Sequence, residues 1–117
     1  RSTAALATAR TAAREAGFTP QTQAHAGSGV LYLKLRPETW TGKALGRLAG
    51  LVTRLRGFTR GEGGSLVLEA CPLAALQGEA VLDPWGDVGS GFPVMRALKE
   101  NLDPQGTLNP GRFVGRL

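Results

Sequence analysis

The chain has 117 residues, of which 42% are apolar, 6% aromatic and 20% charged, with a formal charge of +5. That length suits one small domain with a core, and no apolar run approaches the roughly 20 residues of a membrane span. One cysteine (Cys71) and one histidine (His25) exclude an intramolecular disulfide, a cysteine-based metal cluster and a His–His metal pair.

No charged-then-apolar signal sequence opens the chain, and it starts on Arg1-Ser2-Thr3 without a methionine, so a trimmed chain or an excised piece of a longer protein is expected. A reducing cytoplasm is the simplest compartment for a chain with one thiol. Cys71 ends an apolar run and reads as a buried structural thiol rather than a nucleophile. Lys34, Arg36, Lys43, Arg47, Arg54, Arg56 and Arg60 fall in one window, offset there only by Glu38. The aromatic content is too low, and too separate from these cations, for a single-strand nucleic-acid binder. No helix-turn-helix, zinc-finger or RNA-recognition signature occurs. The cations read first as a solvated helix face and second as a docking surface.

Residues 2–16 are alanine-rich and predict a helix, with Ser2 or Thr3 as cap and Gly17 as stop. Leu6, Ala9 and Ala13 mark its buried face, against a sheet or in a dimer interface. Residues 22–36 turn strand-like. Leu31, Leu33 and Leu35 alternate with Tyr32, Lys34 and Arg36, and Gly27-Ser28-Gly29 suggests a bulge or a close backbone approach. Residues 41–56 predict an amphipathic helix, with Thr41 as cap, Leu45, Leu48, Val52 and Leu55 as stripe, and Gly57 as stop.

Residues 65–71 predict a second strand closed by Pro72. Residues 74–82 are ambiguous, with Val81-Leu82 a candidate edge strand. Asp83 to Gly91 is a turn-rich loop around Trp85. Residues 93–102 predict the last helix, with Val94, Leu98 and Leu102 inward and Asp103-Pro104 as its stop. The tail, 103–117, is expected to be extended. The sum is a small α+β layer structure over 1–117, a single domain with helices on one face of a mainly antiparallel sheet. Two strands are marginal alone, so further partners are expected from another part of a parent chain or from a second copy.

The residues themselves show no catalytic set. His25 sits in Ala24-His25-Ala26-Gly27-Ser28-Gly29, where small neighbours leave room for a ligand; a hydrogen-bonded strand-end histidine is the competing reading. Asp83 and Asp87 flank Trp85 and suit turn stabilisation better than paired acid–base work. Ser28 lies on no strand-to-helix elbow, and no phosphate-cradling glycine loop opens a helix.

Asp103-Pro104-x-Gly106-x-Leu108-Asn109-Pro110-Gly111-Arg112-Phe113, preceded by Met95-Arg96-x-Leu98-Lys99, resembles the C-terminal signature of FAD-linked oxidases. The resemblance implies a ferredoxin-like cap whose tail folds back beside the flavin. It makes Asn109 a flavin-contact candidate, against the alternative that Asn109 only builds the turn. His25-Ala26-Gly27-Ser28-Gly29-Val30-Leu31-Tyr32 is similar to the His-x-Gly-Asp-Gly-Asn-Leu-His segment of D-2-hydroxy-acid members, so His25 is a second cofactor-site candidate. Tyr32 replaces the second metal-binding histidine, which implies a lost metal site. That departure, with Val81-Leu82-Asp83-Pro84-Trp85-Gly86, resembles the FAD-binding second subunit of bacterial glycolate oxidase (the GlcE type). The implied protein is a C-terminal cap fragment of a flavoprotein that oxidises a 2-hydroxy acid. Its FAD would be held by a missing N-terminal domain, and its partners would be other glycolate oxidase subunits. The fragment alone is expected to be inactive and without FAD, with a homodimer possible and no nucleic-acid partner. The alternative is a non-enzymatic module that docks an acidic partner or nucleic acid through its arginine-rich helix.

Overall fold

The first helix of the computed structural model, α1, spans Ser2–Glu15 and turns Ala9, Ala12 and Ala13 inward. Residues 2–77 and 82–117 are described, Ser2 by its backbone alone, so the cap expected of its side chain lies outside the described residues. Small side chains let α1 approach the sheet and the next long helix closely. Gly17 adopts φ +81°, and the amides of Gly17 and Phe18 donate to the carbonyls of Arg14 and Ala13 at 2.9 and 3.0 Å. This is the left-handed C-terminal motif that glycine permits without a Cβ penalty. It drops Phe18 into the core, 3% exposed.

Strands β1 (Thr19–His25) and β2 (Val30–Arg36) follow as an antiparallel hairpin, registered from Thr19↔Arg36 to His25↔Val30. The strand-like run expected over 22–36 is therefore two strands. Residues 26–29 form the turn between them, closed by the Ser28 amide on the His25 carbonyl at 3.2 Å, with Gly29 at φ +68°. The glycines reverse the chain where a bulge was expected, because a four-residue loop needs the positive φ that Gly29 supplies. Leu31, Leu33 and Leu35 pack on the core, and Tyr32, Lys34 and Arg36 face solvent, as the alternation requires.

Helix α2 runs Gly42–Gly61, capped by the Thr41 hydroxyl, which accepts the Ala44 amide at 3.2 Å. Gly57 does not end it. Interior glycine costs a helix only about 1 kcal/mol, while the stop is built later: Gly63 takes φ +74°, and the Gly64 amide reaches back to the Thr59 carbonyl at 2.8 Å. Ala44, Leu48, Leu51, Val52 and Leu55 form the buried face, with Leu45 at its margin.

Residues 65–71 do not form the expected second strand. Leu66 and Leu68 pack on the core from an extended segment, and the Leu68 amide donates to the Pro84 carbonyl at 2.8 Å. The alternation is satisfied by packing, and no ladder partner is present among the described residues. A short helix α3 (Leu73–Gln77) buries Ala75, whose carbonyl accepts the Leu82 amide at 3.0 Å. Val81, half of the candidate edge strand, lies outside the described residues; Leu82 is buried without strand structure. The result is a small α+β domain: a two-stranded antiparallel sheet with helices against its leucine face.

Helix α4 spans Phe92–Leu102 and departs most from expectation. Val94, Leu98 and Leu102 recur every fourth residue but point outward, 64%, 55% and 78% exposed. The helix is held instead through its other side. There Lys99 binds the tail, and Phe92 lies so close to Gly115 that a Cβ on Gly115 would collide with its ring. The tail, expected to be extended over 103–117, folds as turns ending in a single 3-10 turn, Val114–Arg116.

Candidate functional site

The segment after α4 is organised by one carboxylate. Asp103 is 7% exposed. Its Oδ1 accepts the Thr107 amide at 2.8 Å and the Thr107 hydroxyl at 3.1 Å. Its Oδ2 accepts the Leu108 amide at 2.9 Å and pairs with the Lys99 ammonium, one helical turn back. The Lys99 Nζ also donates to the Leu108 carbonyl at 2.6 Å. Both carboxylate oxygens are thus saturated by donors. Lys99 first, then the Leu108 and Thr107 donors, hold the Asp103 carboxyl well below the usual carboxylate range, while desolvation opposes them.

This hub sets the start of the Asn109-Pro110-Gly111-Arg112 turn. The Arg112 amide donates to the Asn109 carbonyl at 3.2 Å. Asn109 has φ +47°, a left-handed conformation that asparagine tolerates better than most side chains. The far side of the turn is clamped by the tryptophan loop. The Trp85 indole N–H donates to the Arg112 carbonyl at 3.1 Å, and its ring meets Phe113 edge-on, with centroids 5.0 Å apart.

The loop itself is held by α2. The Arg56 guanidinium donates to the carbonyls of Asp83, Pro84 and Leu66, and Arg60 pairs with Asp87. Gly86 beneath it takes φ +76°, which favours glycine, and a Cβ there would lie 2.8 Å from the Arg56 Nε and push the guanidinium off its carbonyls. A lysine cannot span three carbonyls with a planar fork. Arg56→Lys is therefore expected to lower stability by about 2 kcal/mol, the scale of charge-assisted hydrogen bonds. Urea unfolding followed by tryptophan fluorescence checks it; an unchanged midpoint would show that the loop holds itself.

Between α4 and the tail lies an open cleft of about 530 Å³. Met95, Leu98, Leu108 and Phe113 give it apolar walls, and Asn109, Arg112 and Lys99 give it polar ones. Its chemistry suits one face of a flat, largely apolar group with hydrogen-bonding edges: the Asn109 amide both donates and accepts, beside the Arg112 guanidinium, which favours negative charge. It offers no nucleophile and no general base, because Asp103 is ionised and fully occupied by donors.

Of the two candidate cofactor residues, Asn109 lines this cleft and His25 does not. His25 closes the hairpin, exposed, with its ring edge-on to Tyr32 at 5.8 Å and its Nε2 3.4 Å from the Gln23 amide nitrogen. The structure does not bring the two together in one site. Among the described residues, no group of three His, Cys, Asp or Glu side chains is placed to hold a metal. Apart from Asn109, the sequence reading gave none of the cleft residues a site role, Lys99 and Arg112 among them. The spacing of Lys99 and Asp103, four apart at a helix end, was the available signal for the first.

Most of the cleft, though not the Trp85 and Arg56 that clamp it, falls in a segment that a comparison with known proteins picks out. Residues 87–113 match the family model described as FAD linked oxidases, C-terminal domain. No curated protein and no solved structure matches the chain. The similarity to FAD-linked oxidases thus resides in α4, the Asp103 hub and the Asn109 turn, a minority of the chain.

Proposed function

We propose that this chain is the C-terminal cap portion of an FAD-dependent oxidoreductase of the glycolate-oxidase type, most like its GlcE-type subunit. One observation carries the reading. The segment similar to the C-terminal domain of FAD-linked oxidases is the segment that builds a braced, open cleft with an unpartnered apolar stripe beside it. The cleft fits a cover over one face of a flavin ring and not a complete cradle, since it is open on one side. FAD, when bound in the parent protein, would accept a hydride from C2 of a 2-hydroxy acid. In that setting Asn109 orients the ring edge by hydrogen bonding, and Arg112 contributes positive charge at the rim. Met95, Leu98 and Phe113 exclude water. Val94, Leu98 and Leu102 would rest on a flavin-binding domain of the parent, in the cytoplasm, beside other subunits of a glycolate oxidase complex.

The alternative, an arginine-rich helix docking an acidic partner or nucleic acid, loses most of its residues to internal work. Arg54 bridges Glu15 at 2.7 Å, Arg56 holds three carbonyls and Arg60 pairs with Asp87.

The test has two readouts. FAD titrated into the purified chain, followed by flavin fluorescence, is expected to show no affinity as tight as micromolar. The coding sequence upstream of Arg1 is expected to encode an FAD-binding domain. Protein that purifies yellow, or a start codon beside Ser2, would overturn the reading.

A further inference from the structure

The hairpin carries an interaction edge. Pro20 pairs opposite Leu35. A hydrogen-bonded antiparallel pair exchanges two N–H···O bonds, and proline has no N–H, so Pro20↔Leu35 occupies a non-hydrogen-bonded position. Alternation then assigns the same position to Thr22↔Leu33 and Ala24↔Leu31. Consequently, the N–H and C=O groups of Leu31, Leu33 and Leu35 point away from β1, along the outer edge of β2. The outer edge of β1 is blunted by Pro20, a usual protection. The outer edge of β2 has no strand beside it among the described residues.

We infer that β2 pairs with β2 of a second copy of this chain, antiparallel and centred on Leu33, to form a four-stranded sheet. The partner follows from the strand's own symmetry. Centred on Leu33, all three outward residues meet outward residues: Leu33 with Leu33, and Leu31 with Leu35 on each side of the dyad. Every outward N–H and C=O of the three leucines finds a partner. The leucine side chains stay on the core face in both copies, so the apolar layer continues across the dyad. On the solvent face each Lys34 meets Tyr32 and each Arg36 meets Val30, so no like charges oppose each other. These are favourable cross-strand neighbours, and Lys34 can lay its stem and charge on the Tyr32 ring. Moving the dyad one residue to Lys34 keeps the leucines on the core face but sets two lysines against each other and leaves Leu31 opposite Pro37, which has no N–H to donate. The contact is isologous, as a two-fold dimer requires, and it relieves the marginal stability of a two-stranded sheet. It is independent of the flavin reading, which concerns the α4 side.

Light scattering over a concentration series tests it, with the mass expected to rise from 12.2 kDa toward twice that value. Register is tested by cross-linking in a Cys71→Ser background. Tyr32 and Lys34 are exposed, so Tyr32→Cys and Lys34→Cys preserve the fold. Opposed non-hydrogen-bonded residues sit with Cα atoms about 4.5 Å apart, within disulfide range. Mild oxidation is expected to give a covalent dimer for the double variant and none for either single variant. A monomer at every concentration, with no cross-link in the double variant, would overturn the proposal. So would a cross-linked dimer of either single variant, which would place the dyad elsewhere.

Discussion

Replacing Leu51 with alanine is expected to remove about 2–5 kcal/mol of stability, the range for emptying a buried leucine site. Small domains hold roughly 5–15 kcal/mol in total, so this one change takes a large share of the margin. The reason lies in what surrounds Leu51. It is 3% exposed on the inner face of α2, beside Leu48, Val52 and Leu55. Ala9, Ala12 and Ala13 of α1 share its core cluster and have no side chain able to swing into a vacated space. The less the other neighbours can move in, the nearer the loss comes to the upper end of that range. Leu98→Ala supplies the contrast. Leu98 is half exposed on α4, so its truncation is expected within about 0.5 kcal/mol of the parent. Urea midpoints of the two variants, measured side by side, decide which leucine stripe is core. Equal losses would mean that α4 is buried in solution.

That contrast also marks how much the sequence could reveal. Local chemistry was legible wherever a residue acts on its own neighbours. Thr41 caps α2, Gly17 stops α1, and the Leu31-Leu33-Leu35 alternation fixes which face of β2 meets the core. Gly57 misled because glycine only taxes a helix, whereas the left-handed turn at Gly63 ends it. The run from Leu66 to Leu68 misled because alternation reports a buried side, and a strand also needs a neighbour to bond. The α4 stripe misled for a related reason: periodicity says which side of a helix is apolar and not whether this chain covers it.

The site followed the same division. The Asp103-to-Phe113 run carries the motif, and the family similarity falls on that stretch, but the tail expected to be extended over 103–117 folds as turns, because proline, glycine and the Asp103 carboxylate reverse the chain there. Its bracing was not readable. Trp85 and Arg112 are 27 residues apart, and Arg56 reaches carbonyls 10 to 28 residues away. No local pattern encodes such contacts, because they depend on how α2, the tryptophan loop and the tail come together.

Acid should loosen the tail through Asp103, and Asp103→Asn should loosen it at neutral pH. The ionised carboxylate is favoured in the fold by Lys99 and by the Leu108 and Thr107 donors. In the unfolded chain an aspartate titrates near 3.9. A folded pKa below the unfolded one means that the unfolded state takes up the proton first. The contribution is therefore complete above the unfolded value and is lost as pH falls through it toward the folded one, so the decline begins from about pH 5 downward. In Asp103→Asn the side chain keeps its shape, but one acceptor becomes a donor facing either the Thr107 or the Leu108 amide. Lys99 also loses its counter-charge. The variant is expected to melt lower than the parent at pH 7 and to show a flatter decline from pH 5 to pH 2, so that the two curves converge in acid. Melting temperature against pH, read by the tryptophan fluorescence to which Trp85 in the tail clamp contributes, checks both features. A variant that melts lower yet keeps the parent's full acid slope would show that another carboxylate carries the titration and that Asp103 acts only by shape.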